Sequence, residues 1–195
     1  INTVVVGKSG ELIGSNTDVY GFMTNLETLG KAYHKKKPAL VVGAGGAARA
    51  VVIALAQAGC SDIRICNRTS DRAIALSKAM QPHAKKITPI GFPDAEDAMA
   101  DIGLLVNTTT QGMEGQNALD ISLRNLHKEA CVTDLVYTPL LTPLLLEAKR
   151  RNHPFVDGLG MLLHQAVPGF HAWFGVKPVV DDALRAHVLA DLQQK

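Results

Sequence analysis

The stretch "PALVVGAGGAARAVVIALAQAG", residues 38–59, decides how the whole chain is read. Its first part is an apolar run of strand length. Its second part repeats small and apolar residues at helical spacing. Between them, Gly43, Gly45 and Ala48 follow the pattern G-x-G-x-x-G/A. Each position has its own physical reason. Gly43 permits a tight turn, Gly45 lets backbone approach a pyrophosphate, and Ala48 keeps the helix close to the strand. The N–H groups at the helix start then meet phosphate charge. On a strand-to-helix turn, this pattern points to a bound dinucleotide.

Working outward, the same rhythm continues. "DIRICNR" (62–68) reads as a strand and "SDRAIALSKAM" (70–80) as a helix with Ser70 as its N-cap. "KKITPI" is a weaker strand and "DAEDAM" a short helix. "IGLLVNTT" and "ACVTDLVY" are strands, "TPLLLEAKRRN" a helix with Pro143 in its first turn, and "PFVDG" a last strand. Upstream, "NTVVVGKSGELIG" reads as a hairpin. A helix follows from Thr17 to about Gly30, which serves as its C-terminal cap. From Leu159 onward the chain is helical and at first strongly apolar. Strands alternating with helices imply an α/β fold: a Rossmann-like, doubly wound parallel sheet with helices on both faces.

The end of the second strand of this series bears on which dinucleotide fits. An NAD site usually carries an acid there, accepting from the ribose 2′-OH. Here the segment is "NRTSDR", and Arg68 and Arg72 surround that place. A carboxylate repels a 2′-phosphate, whereas a guanidinium binds it through two charge-assisted bonds. NADP is therefore the expected cofactor. Asp71 falls within the helix start, where it complements the dipole.

Composition narrows the class. The 195 residues carry a net charge of +2 and are 47% hydrophobic, which describes a globular domain. The run "KAYHKKKP" is short and lacks interleaved aromatics, so no nucleic-acid partner is expected. The cysteines (Cys60, Cys66, Cys131) have no metal-ligand spacing and read as reduced, structural thiols of a cytoplasmic protein, with Cys66 and Cys131 buried in apolar runs. No metal is expected. No apolar run approaches the roughly 20 residues needed to span a bilayer, so no membrane partner is expected either.

With these residues in hand, the chain resembles the shikimate/quinate dehydrogenase family. The resemblance runs in order through "INTVV", "GSNTDVYGF", "VVGAGGAARA", "CNRTSDRA", "LLVNTTTQGM", "DLVYTPLLTPLL" and "VDGLGMLLHQAVPGFHAWFG". It implies reversible, NADP-dependent reduction of 3-dehydroshikimate to shikimate, a step of chorismate and aromatic amino acid biosynthesis. The alternatives are a related dehydrogenase of other preference and a non-catalytic NADP-binding module. By resemblance Asp18 is the catalytic aspartate, and Asn2, Asp18, Tyr137 and Gln165 bind substrate. Gly43, Ala44, Gly45, Gly46 and Ala47 form the pyrophosphate loop. Asn67, Arg68, Thr69 and Arg72 form the adenosine-phosphate pocket. Asn107, Thr108, Thr109, Leu135 and Gly158 line the rest of the cofactor. His164, beside Gln165, is expected to be structural.

The resemblance also implies a domain division. Residues 18–163 would be the NADP-binding Rossmann domain. Residues 1–17 and 164–195 would be remnants of an N-terminal substrate domain and its packing helices. The family's catalytic lysine precedes the asparagine matched by Asn2, and none of the lysines here stands in that motif. The expectation is a cofactor-binding fragment that turns over little substrate and self-associates through its exposed ends. Val19 and Thr138 depart from the common family pattern, and Thr138 bears on the choice between shikimate, quinate and related polyol acids.

Overall fold

The computed structural model describes residues 1–28 and 36–192. Six parallel strands form the central sheet. They are β3 (Ala39–Val42), β4 (Ile63–Asn67), β5 (Ile87–Gly91), β6 (Leu104–Asn107), β7 (Cys131–Asp134) and β8 (Phe155–Val156). Their spatial order is β5-β4-β3-β6-β7-β8. The chain therefore starts the sheet in the middle, builds one half outward and returns to build the other. That reversal between β3 and β6 opens a crevice at the strands' carboxyl ends, where ligands of such sheets sit.

Strand β3 has all four residues buried because both faces of the sheet are covered. Ala39 and Val41 pack on one side with α2 (Gly46–Gln57) and α3 (Ser70–Met80), joined by Phe22 and Leu26 of α1 (Asp18–Thr28). Leu40 and Val42 pack on the other, with Leu144, Leu145 and Ala148 of α4 (Pro143–Arg150). The period-two alternation of a strand thus divides one apolar run between two cores.

The N-terminal hairpin pairs β1 (Thr3–Val6) with β2 (Leu12–Ser15), separate from the main sheet. Helix α5 (Leu159–Phe174) packs along α1, and its Trp173 donates from Nε1 to the carbonyl of Val4 at 2.9 Å. The last helix, α6 (Asp182–Leu192), buries no residue completely.

Two local expectations are corrected. The N-cap of α3 is Thr69 rather than Ser70, and it makes no side-chain cap bond. The Asn67 amide instead donates to the Thr69 carbonyl at 2.9 Å, which turns the chain into the helix. "DAEDAM" forms no α-helix but contributes to two 3₁₀ turns, Phe92–Asp94 and Asp97–Met99. The segment is too short to propagate a helix once nucleated. The expected cap at Gly30 and the lysines Lys31 and Lys35 lie outside the described residues. The three cysteines are buried, and none forms a disulfide among the described residues. Burial raises the Cys60 thiol and pushes Cys66 up to about 11, so both stay protonated at neutral pH.

Candidate active site

A cleft of about 460 Å³ opens at the switch point. Its floor is the turn after β3. Gly43 has φ +115, a conformation that L side chains rarely adopt. A Cβ there would also run into the Thr108 hydroxyl and sit 3.2 Å from Thr109 Cγ2. Its amide donates to the Cys66 carbonyl at 2.7 Å, which holds the turn across β4. Gly45 differs. Its backbone is extended, and a Cβ would meet no atom within 4 Å. Nothing among the described residues demands glycine at 45. The space above it and above Gly46 is open, as a closely approaching pyrophosphate requires.

Gly43, Ala44 and Gly45 line the cleft with Asn67, Arg68, Thr69 and Arg72 on one side and Thr108 and Thr109 on the other. Nine of the expected cofactor residues are therefore brought together around one space. Arg68 and Arg72 are exposed, and neither forms an ion pair among the described residues, so both guanidiniums can meet an anion. Gly46 and Ala47 lie at the start of α2, just beyond the lining residues.

Asn107 has a different placement. Its side chain is fully buried and occupied on every side. Nδ2 donates to Asp134 at 2.9 Å and to the Gln111 carbonyl at 3.1 Å. Oδ1 accepts from the Thr109 amide at 3.0 Å and hydroxyl at 2.7 Å. Asn107 shapes the cleft wall through Thr109. Leu135 and Gly158 lie against each other: a Cβ on Gly158 would come within 2.5 Å of the Leu135 carbonyl oxygen. Only a glycine lets the β7 and β8 loops meet there.

The expected substrate residues also converge, apart from Tyr137. Asn2 donates to the Asp18 carboxylate at 2.9 Å and reaches Gln165 Oε1 at 3.5 Å. Asn2 Oδ1 accepts from the Thr17 amide and hydroxyl at 3.0 and 3.1 Å. Residues from the first turn of the chain, the start of α1 and the middle of α5 thus form one polar cluster. Tyr137 is half-buried in the loop after β7, with no hydrogen bond among the described residues placing it in that cluster. His164 is partly buried, and burial together with Arg185 lowers its basicity, so its imidazole tends to be neutral.

Several lining residues escaped the sequence reading: Phe92 after β5, and Thr110, Gln111, Gln116 and Asn117 after β6. The signal that could have found them is positional, since each follows the carboxyl end of a parallel strand. Asp134 also escaped. It is fully buried, and burial pushes its carboxyl up to about 6 against the hydrogen bonds of Thr142, Val136 and Asn107.

A doubly wound sheet with a glycine turn, exposed arginines and a polar cleft at its switch point defines a dinucleotide-binding fold. The model of the shikimate / quinate 5-dehydrogenase family matches residues 27–136, and the chain belongs to that family. It is 50% identical over 191 residues to the shikimate dehydrogenase (NADP(+)) of Paramagnetospirillum magneticum, spanning 97% of this chain and 68% of that protein. The Rhodospirillum rubrum enzyme of the same name gives the same identity and coverage. Among solved structures, Thermus thermophilus shikimate 5-dehydrogenase in complex with NADP(H) and shikimate aligns with TM-score 0.79 and 35% identity, covering 97% of this chain and 67% of that one. Quinate dehydrogenase from Corynebacterium glutamicum in complex with NAD aligns with TM-score 0.87 and 30% identity, covering 96% and 66%. The chain therefore spans about two thirds of the length of these relatives. Among the described residues, no helix is long and apolar enough to cross a membrane.

Proposed function

We propose that this chain is the NADP-binding part of a cytoplasmic shikimate dehydrogenase. The observation that carries this reading is the cleft itself: an open glycine turn beneath two exposed arginines that form no ion pair among the described residues. Such a cleft accepts a pyrophosphate over Gly45 and a 2′-phosphate between Arg68 and Arg72. The bound nicotinamide would supply hydride acceptance and donation at its ring. The protein's own residues then bind and orient. Asn2 and Gln165, which can donate and accept at once, suit the hydroxyls of a ring polyol. Asp18, already holding Asn2, would orient a proton-transferring partner at the alcohol being oxidised. Residues 18–163 would form the cofactor domain, with the segments on either side facing the substrate.

Among the described residues, no lysine pairs with Asp18. The 195 residues alone are therefore proposed to bind NADP while oxidising shikimate negligibly. General acid–base catalysis contributes roughly 10²–10⁴ in rate, and orientation about 7–11 kcal/mol, and both need the opposite wall. Calorimetry against NADP and NAD tests the cofactor reading. Binding of NADP at least tenfold tighter than NAD is expected, and equal affinity refutes it. A shikimate-dependent rate of NADPH formation typical of dehydrogenases would refute the second part. Thr138 and the likeness to a quinate dehydrogenase favour one second reading, a preference for quinate. Comparing the two acids as substrates of a chain carrying the lysine decides between them.

The exposed ends are proposed to self-associate. Ile1, Val6 and Leu12 of the hairpin are at least 70% exposed, and Trp173 and Phe174 of α5 more than half exposed. Apolar surface of this kind beside an open strand edge favours pairing.

A further inference from the structure

Asp134 is a charge-bearing residue in a strand that is otherwise apolar or neutral, and among the described residues it forms no ion pair. Its Oδ1 accepts from Asn107 Nδ2 at 2.9 Å and from the Val136 amide at 3.0 Å. Its Oδ2 accepts from the Thr142 hydroxyl at 2.7 Å. These three donors belong to different pieces of chain. Asn107 ends β6 and, through its own amide, holds Thr109 and Gln111 in the cleft wall. Val136 begins the loop that carries Tyr137. Thr142 caps α4 by accepting from the Leu145 amide. The two loops are tied once more by backbone, from the Glu114 amide to the Thr138 carbonyl at 3.0 Å.

We propose that Asp134 is a positioning residue that sets the cleft-wall loop 107–111 and the loop 135–138 after β7 in one register. Removing its carboxyl group would release both loops together rather than either alone. The surroundings make the group sensitive to its own proton. On β6 and ahead of α4 its partners are neutral, Asn107 and Thr142. On β8, one step past the Val156–Thr133 pair, the ionisable neighbour is Asp157, whose charge Arg185 of α6 takes at 2.7 Å. Burial, opposed by these hydrogen bonds, holds the carboxyl well above its usual range. Protonation must then turn one accepted bond into a donated one, and the pull on Asn107 and Val136 changes with it.

The consequence for cofactor binding rests on the dinucleotide reading above, but the coupling itself is read on the ligand-free chain. In a ¹⁵N-correlated NMR titration from pH 4.5 to 8, the Thr109 and Val136 amides are expected to shift in one shared step. Asp134→Asn, whose side chain keeps the Asn107 and Val136 bonds, is expected to abolish the step in both. Separate inflections, no step in one loop, or a shared step surviving in D134N would each overturn the proposal. Calorimetry with NADP supplies the second arm. Asp134→Ala is expected to weaken binding at least tenfold and D134N less than threefold; D134A within threefold of the parent chain would overturn it. If the parent chain binds no NADP, the dinucleotide reading fails while the NMR arm still decides the coupling. If D134A does not fold, D134N and the titration suffice.

Discussion

Gly160→Ala is expected to destabilise the protein, although general helix rules point the other way. In an exposed helix interior, alanine is favoured over glycine by about 0.8–1.0 kcal/mol. Gly160, however, is the second residue of α5 and fully buried against α1. A Cβ built there lands inside the side chain of Asn25, on its Oδ1 and Cγ. Asn25 is 4% exposed, and its Nδ2 donates to the Asp157 carbonyl at 2.8 Å. The new methyl must either push the helices apart or expel that amide. Overpacking costs about 1–3 kcal/mol, and leaving a buried amide and carbonyl unpaired about 1–3 kcal/mol more. Taken together and set against the propensity gain, these terms leave a net loss of about 1–5 kcal/mol. For a chain of this size that is a fall in Tm of about 2–4 °C per kcal/mol. Urea and thermal unfolding followed by circular dichroism give the number. A double-mutant cycle locates its cause. In an Asn25→Ala background the methyl finds empty space, so most of the Gly160→Ala penalty should vanish. An unchanged or raised Tm for G160A, or the same penalty in both backgrounds, refutes the reasoning.

Three further outcomes are expected. Gly45→Val should leave stability within about 0.5 kcal/mol, as for a surface change, because its backbone is extended and its surroundings empty; NADP binding should nonetheless be lost, and calorimetry beside a melting curve separates the two. Asp134→Asn should change the pH dependence of stability: the folded carboxyl, raised from 3.8 to about 6, resists ionisation that the unfolded chain undergoes freely. The Asp134 contribution to the parent chain's stability therefore falls as pH rises from about 4 to 6, and the variant-minus-parent difference should climb by up to about 3 kcal/mol and then stay level, whereas a flat difference from pH 4 to 7 contradicts it. Light scattering should show mass rising with concentration, and Trp173→Ser with Phe174→Ser should reduce it; a monomer at every concentration in the parent chain would count against association through this face.

Much of the fold was legible because its signals are local. Strands β3, β4, β6 and β7 are short apolar runs whose length and punctuation distinguish them from helices. The glycine turn carries its reasons in the residue types themselves, and the arginines of "NRTSDR" stand at a fixed distance from it. Less was legible where the structure is short. The "DAEDAM" segment was misread because helical composition over six residues cannot say whether a helix propagates. The cap at Thr69 was missed by one residue because an Asn67 bond, not a hydroxyl cap, makes the turn.

The amino-acid sequence by itself determined the order of strands and helices, the glycine turn and the charge facing it. These depend on spacing along the chain, which is all a sequence contains. Only the tertiary structure decided that Asn2, Asp18 and Gln165 share one cluster, since they are separated by up to 163 positions. Only it decided that Asn107 is occupied with Asp134 rather than pointing freely into the cleft, and that a Cβ at Gly43 would run into Thr108. The physical reason is the same in each case. Hydrogen bonds and steric limits act over a few ångströms of space, whatever the distance along the chain, and a side chain's role depends on which neighbours the fold brings within that range.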